Sequence, residues 1–258
     1  MNFKLPFFNA LLLIAFMSCS DSTSDEFDGA NPDAEAKYIK TITVLSAQEG
    51  EEATVTVNYD ANDRVSSISN GTDSSVFVYN NNELTNISGD GDNLNIEELY
   101  DSPYNAFEVG EVTSYDSNGN PKTIAFSQTE YDYENNIEEE VEYTAEITYD
   151  ANPNPYFYTL EAAGIIDVLD NVDLHLTMNT SSDQVVQARL LFPLNNITGI
   201  QYKDENGVLI FELDADYVYN SADYPISGTV VGTDYYENYE GEIETETSIF
   251  SANYTYRD

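Results

Sequence analysis

The sequence has very few basic side chains, and this shortage excludes several kinds of partner. Lysine and arginine together number 8 against 48 aspartates and glutamates, which gives a formal net charge of −40. Nucleic-acid binding relies on clustered lysine and arginine at the phosphates, so we predict no nucleic-acid partner. The charge also disfavours docking of the domain itself on an anionic lipid surface. Solubility in a salty habitat explains such an acidic surface without any ligand.

The residue types that many catalytic and metal sites use are also scarce. The chain has one cysteine, one histidine and no tryptophan. A zinc site normally needs several histidine or cysteine ligands, and a disulfide needs a second cysteine. The single histidine, His175, lies in an alternating apolar segment, and no nucleophile-elbow motif accompanies it. Carboxylate pairs for glycoside hydrolysis are inevitable among so many acids and therefore carry no information. We predict no catalytic residue and no cofactor.

The only cysteine, Cys19, ends the hydrophobic run LPFFNALLLIAFMSC, which follows a short and weakly basic start. Its apolar core of about 13 residues is too short to span a bilayer as a helix and is typical of a signal peptide. The end of the run, from Phe16 to Cys19, resembles a lipobox, although Phe16 stands where leucine is usual. The resemblance implies a lipoprotein signal peptide over residues 1–18 and lipid on Cys19, with the membrane as a partner. An ordinary secretory signal with an accidental cysteine is the alternative.

Residues 19–36 are predicted to be the lipidated cysteine and a flexible acidic tether. The segment after Cys19 carries six acids and no base, with serine, glycine and proline but no periodicity. A flexible chain of this length would hold the domain roughly 20–25 Å from the membrane. The early acids resemble the surface-export signal of Bacteroidota-type lipoproteins. The sequence Asp21-Ser22-Thr23 resembles an O-glycan acceptor motif of the same group, which implies a glycan on Ser22. Tether composition alone is the alternative reading of both patterns.

From residue 37 to residue 258 the dominant signal is alternation of apolar and polar residues, which indicates half-buried strands. It is clear over 54–59 and clearest over 141–149. One stretch, TLEAAGIIDVLDNV, has helical periodicity and a candidate N-cap at Thr159. We therefore predict a single, mainly all-β domain. Its architecture is a large curved antiparallel sheet of successive hairpins, a half-open barrel in shape, with one short helix packed on it.

Six segments repeat one hairpin pattern, in which a strand ends in tyrosine plus Asp or Asn before a polar turn. Asx and glycine residues suit such turns because they tolerate positive φ. The predicted hairpins are TVTVNYD-ANDR-VSSI, SVFVYN-NNE-LTNI, GEVTSYD-SNGN-PKTI, AEITYD-ANPNP-YFYTL, GIQYKD-ENG-VLIFEL and DYVYN-SADY-PISGTV.

Two of the loops are candidate calcium sites. Asp116, Asn118 and Asn120, and likewise Asp90 and Asp92, place hard oxygen ligands at alternate positions, as calcium loops do. Neither loop completes an EF-hand. An Asx-rich hairpin turn that binds no metal is the favoured alternative.

The turns YDANDRVSSI and YDSNGNPKTI resemble the YD repeats of RHS-type proteins. Together with the lipobox, the acidic segment and the stretch YDANPNPYFYTLEAAGII, they resemble a Bacteroidota-type outer-membrane lipoprotein family of unknown function. The resemblance implies a location at the cell envelope, anchored by lipid in the outer membrane and facing either the surface or the periplasm. It implies a fold but no activity.

These observations favour a non-enzymatic protein with a binding or structural β domain whose partner is an extracellular glycan or protein. Two alternatives stay open: a carboxylate-dependent glycan hydrolase and a calcium-stabilised adhesin-like module.

Overall fold

The computed structural model describes residues 22–48, 50–89, 110–132, 136–175, 185–238 and 241–257. Three short α-helices lie in these residues: α1 (Thr23–Ala30), α2 (Phe157–Ala162) and α3 (Ile165–Leu169). The strands are β1 (Ile39–Ser46), β2 (Glu52–Tyr59), β3 (Val65–Ser69), β4 (Ser74–Asn80), β5 (Glu83–Gly89), β6 (Gly110–Tyr115), β7 (Pro121–Asp132), β8 (Ile137–Pro153), β9 (Asp173–His175), β10 (Val185–Gln187), β11 (Asn195–Asp204), β12 (Leu209–Tyr219), β13 (Pro225–Glu237) and β14 (Ile243–Tyr256). In the described residues, no helix is long and apolar enough to cross a membrane.

Twelve of the strands form one antiparallel sheet in the order β5-β4-β3-β2-β1-β14-β13-β12-β11-β8-β7-β6, and β9 pairs with β10 separately. The first and last strands along the chain, β1 and β14, pair with each other near the middle of the sheet. The described parts of β5 and β6 stay at opposite edges and are not paired with each other. The predicted fold class, a mainly β chain with one large antiparallel sheet that does not close into a barrel, is confirmed.

The alternation in the sequence corresponds to burial in the sheet. In β8, Tyr143, Ala145 and Ile147 are buried, whereas the intervening Glu142 and Glu146 are exposed. The inward faces of β2, β4, β7 and β11 add further aliphatic and aromatic residues to one core cluster. Successive side chains on a strand point to opposite faces, so a period of two in the sequence builds a sheet with one buried face.

Five of the six predicted hairpins form: β2–β3, β4–β5, β6–β7, β11–β12 and β12–β13. The prediction of the fourth hairpin, AEITYD-ANPNP-YFYTL, is wrong. There β8 continues to Pro153, and the backbone N–H of Asn154 donates to Leu194 O, so the chain joins a distant loop instead of turning back. The segment that was expected to return as a strand is helix α2.

The predicted single helix is two helices, and it begins earlier than Thr159. Helix α2 starts at Phe157, and Thr159 lies inside it, where its hydroxyl accepts a hydrogen bond from Ile39 N at 2.8 Å. Gly164 separates α2 from α3 with a φ of 76°. A Cβ atom at this glycine would lie 3.0 Å from Leu84 Cβ, so the close approach to β5 and the positive φ both require glycine there.

The sheet curls, because one of its edges contacts the helices and the other contacts the loop before β11. On one side Leu84 in β5 lies against Gly164, and the Tyr79 hydroxyl in β4 lies 3.3 Å from Ala163 O. On the other side the β6–β7 turn packs on Leu194 in the loop before β11. The three described α-helices therefore lie at one end of the sheet, which we call the helical end. The opposite end, where β1 leads to β2, β3 to β4, β11 to β12 and β13 to β14, is called the far end.

The prediction of a flexible tether over residues 19–36 is wrong from Ser22 onward. Ser22 caps helix α1 through a capping box with Asp25, and Phe27 on this helix is fully buried. Its ring stacks on Phe157 with centroids 3.7 Å apart. The acidic composition and the lack of periodicity suggested disorder, but Phe27 of α1 finds a partner in Phe157 of α2.

Candidate functional site

The helical end contains an apolar cleft of about 280 Å³, near the lower end of the volumes usual for small-molecule sites. It opens between the inner face of the sheet and the two segments that lead into α2 and β11. Its lining includes no charged residue. The residues are Tyr149, Asn154, Pro155, Tyr156, Leu160, Leu191, Phe192, Pro193, Asn195, Asn196, Ile197, Tyr217 and Tyr254.

Three tyrosines on three strands form the sheet side of the cleft: Tyr149 on β8, Tyr217 on β12 and Tyr254 on β14. The strand between the last two carries Gly228, which pairs with Tyr217. A Cβ atom at this glycine would lie 2.8 Å from Tyr217 Cδ1, so the ring lies over the bare backbone of β13. A larger residue there would push the tyrosine out of its place in the cleft wall.

Most polar atoms around the cleft already have partners within the protein. The Tyr149 hydroxyl donates to Pro121 O at 2.7 Å, and the Tyr217 hydroxyl donates to Ile197 O at 3.0 Å. Burial raises the pKa of Tyr217 and also that of Tyr254, whose ring meets the edge of Tyr156 at a centroid distance of 6.4 Å. These phenols stay neutral in ordinary conditions. The cleft therefore offers ring faces and aliphatic surface rather than charge.

The carboxylate of Asp150, next to Tyr149 on β8, accepts hydrogen bonds from uncharged donors. Asp150 Oδ1 accepts from the Asn152 and Asn196 backbone N–H groups at 2.9 and 3.3 Å, and the Tyr219 hydroxyl donates to its Oδ2. The pKa of Tyr219 is raised to about 12, mainly by burial and secondly by this hydrogen bond to Asp150. Asp150 thus acts as an acceptor that joins β8, β11 and β12 at the helical end.

Buried asparagines connect the cleft to helix α1. The side chain of Asn195, 1% exposed, donates to Asn31 Oδ1 and Asn152 O, both at 3.1 Å. Its Oδ1 accepts from the side-chain amides of Asn118 and Asn120 at 3.0 and 2.9 Å. An amide has two donor hydrogens and two acceptor lone pairs, so Asn195 is saturated. We call Asn31, Asn118, Asn120 and Asn195 the asparagine network.

Of the candidate calcium residues in the β6–β7 turn, Asn118 and Asn120 belong to this network, and Asp116 binds both of them. Asp116 Oδ1 accepts from the backbone N–H groups of Asn118 and Asn120, at 2.8 and 2.9 Å. Asn120 Oδ1 accepts from Leu194 N at 2.6 Å, and both asparagine side chains direct N–H groups at Asn195. Oxygens of Asp116 and Asn120, which were candidate ligands, thus accept hydrogen bonds from the chain itself. In the described residues no group of three His, Cys, Asp or Glu could hold a metal.

The same turn recurs along the helical and far ends. Asp60, Asp204 and Asn220 each accept, through Oδ1, the N–H groups two and four residues further on. The residue three positions after each has a positive φ: 62° at Asp63, 77° at Gly207 and 61° at Asp223. The repeated tyrosine-Asx motif is thus a turn signal, and its oxygens serve the backbone.

The other predicted site residues lie as follows. Cys19, Asp90 and Asp92 fall outside the described residues, so lipidation and the second calcium loop stay predictions. The Ser22 hydroxyl donates to Asp25 Oδ2 at 2.9 Å as part of the α1 capping box, and its glycosylation stays a prediction. The backbone of His175 lies in β9, opposite Val185.

Sequence reasoning missed the cleft and the network that supports it. The alternating pattern placed the tyrosines in strands without indicating a cleft, and no sequence pattern singled out Asn195 or Asn196. One local signal was available for α1, because Ser22 and Asp25 have the spacing of a capping box. The cleft has no such signal, since its lining comes from separate segments between residues 149 and 254.

Fold and cleft together define the class of protein: an open antiparallel β-sheet wrapped around short helices, with an apolar, tyrosine-lined cleft at one end. No protein-family model matches the chain, and no curated protein matches it.

Three solved structures resemble the chain weakly. A porin-like protein from Bacteroides uniformis has a TM-score of 0.33 and 13% identity, over 85% of this chain and 98% of its own. A LolA-superfamily protein from Nitrosomonas europaea has a TM-score of 0.24 and 10% identity, with 92% and 94% covered. A putative outer membrane lipoprotein-sorting protein domain from Vibrio parahaemolyticus has the same score and identity, with 90% and 91% covered. Scores this low do not establish a common fold, so no function is transferred.

Proposed function

We propose that this chain is a lipid-anchored cell-envelope protein whose β domain is a non-enzymatic binding module. The binding site is the tyrosine-lined cleft, and its ligand presents an uncharged, largely apolar portion. The observation that carries this proposal is the cleft itself, which is lined by four tyrosines, two prolines and aliphatic side chains without a charged residue. Concave apolar surface with few polar groups is typical of small-molecule sites.

The anchoring part of the proposal rests on the sequence. The run that ends at Cys19 has the length of a signal-peptide core, and the sole cysteine lies at the position that the lipobox requires. Lipid on this residue would hold the domain at the outer membrane, with two or more acyl chains giving stable attachment. The YD-like turns belong with this proposal as structural elements of the domain.

The non-enzymatic part is supported by how the polar groups near the cleft are used. The hydroxyls of Tyr149 and Tyr217 donate to backbone carbonyls. Asp150 is surrounded by the neutral donors Asn152, Asn196 and Tyr219, none of which is a second carboxylate. Glycoside hydrolysis needs two carboxyl groups that face one substrate, and the cleft lining contains none.

Binding can be tested with the uncharged fluorescent probe N-phenyl-1-naphthylamine and the mature chain carrying Cys19→Ser. We expect saturable binding at one site per chain. Leu160→Trp adds volume to the cleft wall from α2 and should abolish this binding. Val218→Trp is the matched control, because Val218 is 58% exposed on the opposite face of β12 from Tyr217, and it should leave binding unchanged.

Equal loss or equal retention of probe binding in the two variants would refute the assignment of the site to the cleft. Turnover of a polysaccharide that a single Asp or Glu substitution abolishes would refute the non-enzymatic assignment. For the anchor, Cys19→Ala should release the protein from the membrane fraction without unfolding it, and retention there would contradict lipid attachment.

A further inference from the structure

Helix α1 is attached to the domain along its whole length. At its start, the Thr23 N–H and hydroxyl both donate to Asp170 Oδ1 at the end of α3, at 2.9 and 2.6 Å. In its middle, Glu26 forms an ion pair with Arg189, whose side chain is only 12% exposed. Phe27 stacks on Phe157. At its end, the Asn31 side chain donates to Leu194 O at 3.1 Å.

These contacts are strong enough to keep α1 in place. Phe27 is completely buried, and both hydrogen bonds from Thr23 end on a carboxylate oxygen, so several favourable contacts act together. The chain after the helix is attached as well, since Ala34 packs against the core and Tyr158 donates to its carbonyl. Chain that was expected to be free is therefore part of the folded domain from Ser22 onward.

The docked helix shortens the connection between the domain and the lipidated residue. Three peptide units separate Cys19 from Ser22, and a fully extended chain spans at most about 3.3–3.6 Å per residue. The Cα atom of Cys19 can thus lie no further than about 11 Å from that of Ser22. A free tether of the whole acidic segment would instead allow roughly 20–25 Å and any orientation.

We propose that α1 is an orienting clamp, which holds the helical end of the domain against the bilayer that carries the lipid. This inference rests on the lipid anchoring proposed above. The surface that faces the bilayer is formed by the start of α1 and the end of α3. The far end points away from the membrane, because β11 runs for ten residues from the helical end, or about 30 Å at 3.3 Å per residue.

The orientation results from the short covalent connection between Cys19 and Ser22 and not from affinity of the protein surface for lipid. The surface around Thr23 carries Asp25, Asp28, Asp167 and Asp170, which an anionic bilayer would repel. The cleft lies at the same end, so a ligand enters it close to the membrane. Detaching α1 would lengthen the connection and release the orientation.

The test uses the lipidated full chain in phosphatidylcholine vesicles that contain a headgroup-attached quencher. A fluorophore is placed on one engineered cysteine, because lipidated Cys19 leaves no other thiol. Asn171→Cys places the label just after α3, on the surface that faces the bilayer. Glu205→Cys places it in the exposed β11–β12 turn at the far end. We expect quenching at position 171 to exceed quenching at position 205 several-fold. Equal quenching at the two positions in vesicle-bound protein would overturn the inference.

Two variants test whether the short covalent connection through docked α1 produces this orientation. A flexible Gly-Ser insertion of about ten residues between Cys19 and Ser22 should equalise the two signals without lowering the melting temperature. Phe27→Ala, which weakens α1 docking, should reduce the difference and lower the melting temperature. An unchanged difference in the insertion variant would refute the role of covalent reach. Protein that does not bind the vesicles at all would refute both the anchor and the clamp.

Discussion

The two ends of the sheet use similar turns but differ in what lies beneath them. At the helical end, the β6–β7 turn closes on the asparagine network and fully buried Phe27 and Leu194 lie close by. At the far end, Glu205 and Asn206 in the β11–β12 turn are solvent-exposed, and β14 shows Ile243 and Phe250 at 62% and 40% exposure. The turn motif therefore sets the local geometry at both ends, whereas tertiary partners turn only the helical end into a candidate site.

The largest difference in stability is expected between substitutions of two phenylalanines, Phe27 and Phe250. Phe27→Ala removes a fully buried ring that stacks on Phe157, and we expect the free energy of unfolding to fall by about 3 kcal/mol. Phe250→Ala, in the exposed part of β14, should cost less than about 1 kcal/mol. Urea denaturation of the chain with Cys19→Ser measures both. Similar losses would mean that α1 contributes no more than surface contacts do.

The next effect concerns an asparagine inside the network. Asn120→Ala leaves Leu194 N without its buried acceptor and removes one of the two donors to Asn195 Oδ1, which should cost about 2–3 kcal/mol. At the far end, Asn206→Ala keeps the backbone N–H that Asp204 accepts and should change stability by less than about 0.5 kcal/mol. Thermal unfolding monitored by circular dichroism checks the pair. A loss below about 1 kcal/mol in Asn120→Ala would remove the energetic basis of the network.

A smaller difference is expected between two equivalent turn aspartates. Asp116 and Asp204 each accept the backbone N–H groups two and four residues on, but Asp116 also accepts from the Asn120 side chain at 3.0 Å. We expect Asp116→Ala to cost about 2 kcal/mol and Asp204→Ala about 1 kcal/mol. The midpoints of urea unfolding give the comparison. The reverse order would show that the turns, and not their partners, determine the stability of each end.

The smallest effect distinguishes two tyrosines at the helical end. The Tyr219 hydroxyl donates to Asp150, whereas the Tyr224 hydroxyl is buried and has no hydrogen-bond partner in the described part of the chain. Tyr219→Phe should therefore cost about 1 kcal/mol, and Tyr224→Phe should be neutral or slightly stabilising. Differential scanning calorimetry resolves the opposite signs. Destabilisation by both substitutions would indicate that Tyr224 has a partner.

Local signals made the sheet predictable from the sequence. The period of two along β8 and the tyrosine-Asx turns depend on neighbouring residues only, so five hairpins were placed correctly. The segment after Asp150 has the same turn motif and still does not form a hairpin, because Asn154 bonds to Leu194 and Pro193. That choice depends on a loop about forty residues away, which no local pattern reveals.

The same reason explains why α1 and the cleft were not predicted. The acidic composition of residues 20–36 indicated disorder, and the partner that orders Thr23 lies 147 residues further along the chain. The candidate calcium residues Asn118 and Asn120 were noticed for their oxygens. Their role depends on Asn195, more than seventy residues away, and becomes visible only once the sheet has curled.

The segment that begins at Ser22 is folded onto the helical end, and amide hydrogen exchange is the direct test of this arrangement. In α1, Glu26 N donates to Ser22 O and Asn31 N donates to Phe27 O. We predict that these amides exchange nearly as slowly as amides in the middle of β11, because α1 docking shares the stability of the core. Exchange of both amides at the rate of an unstructured chain would contradict the account.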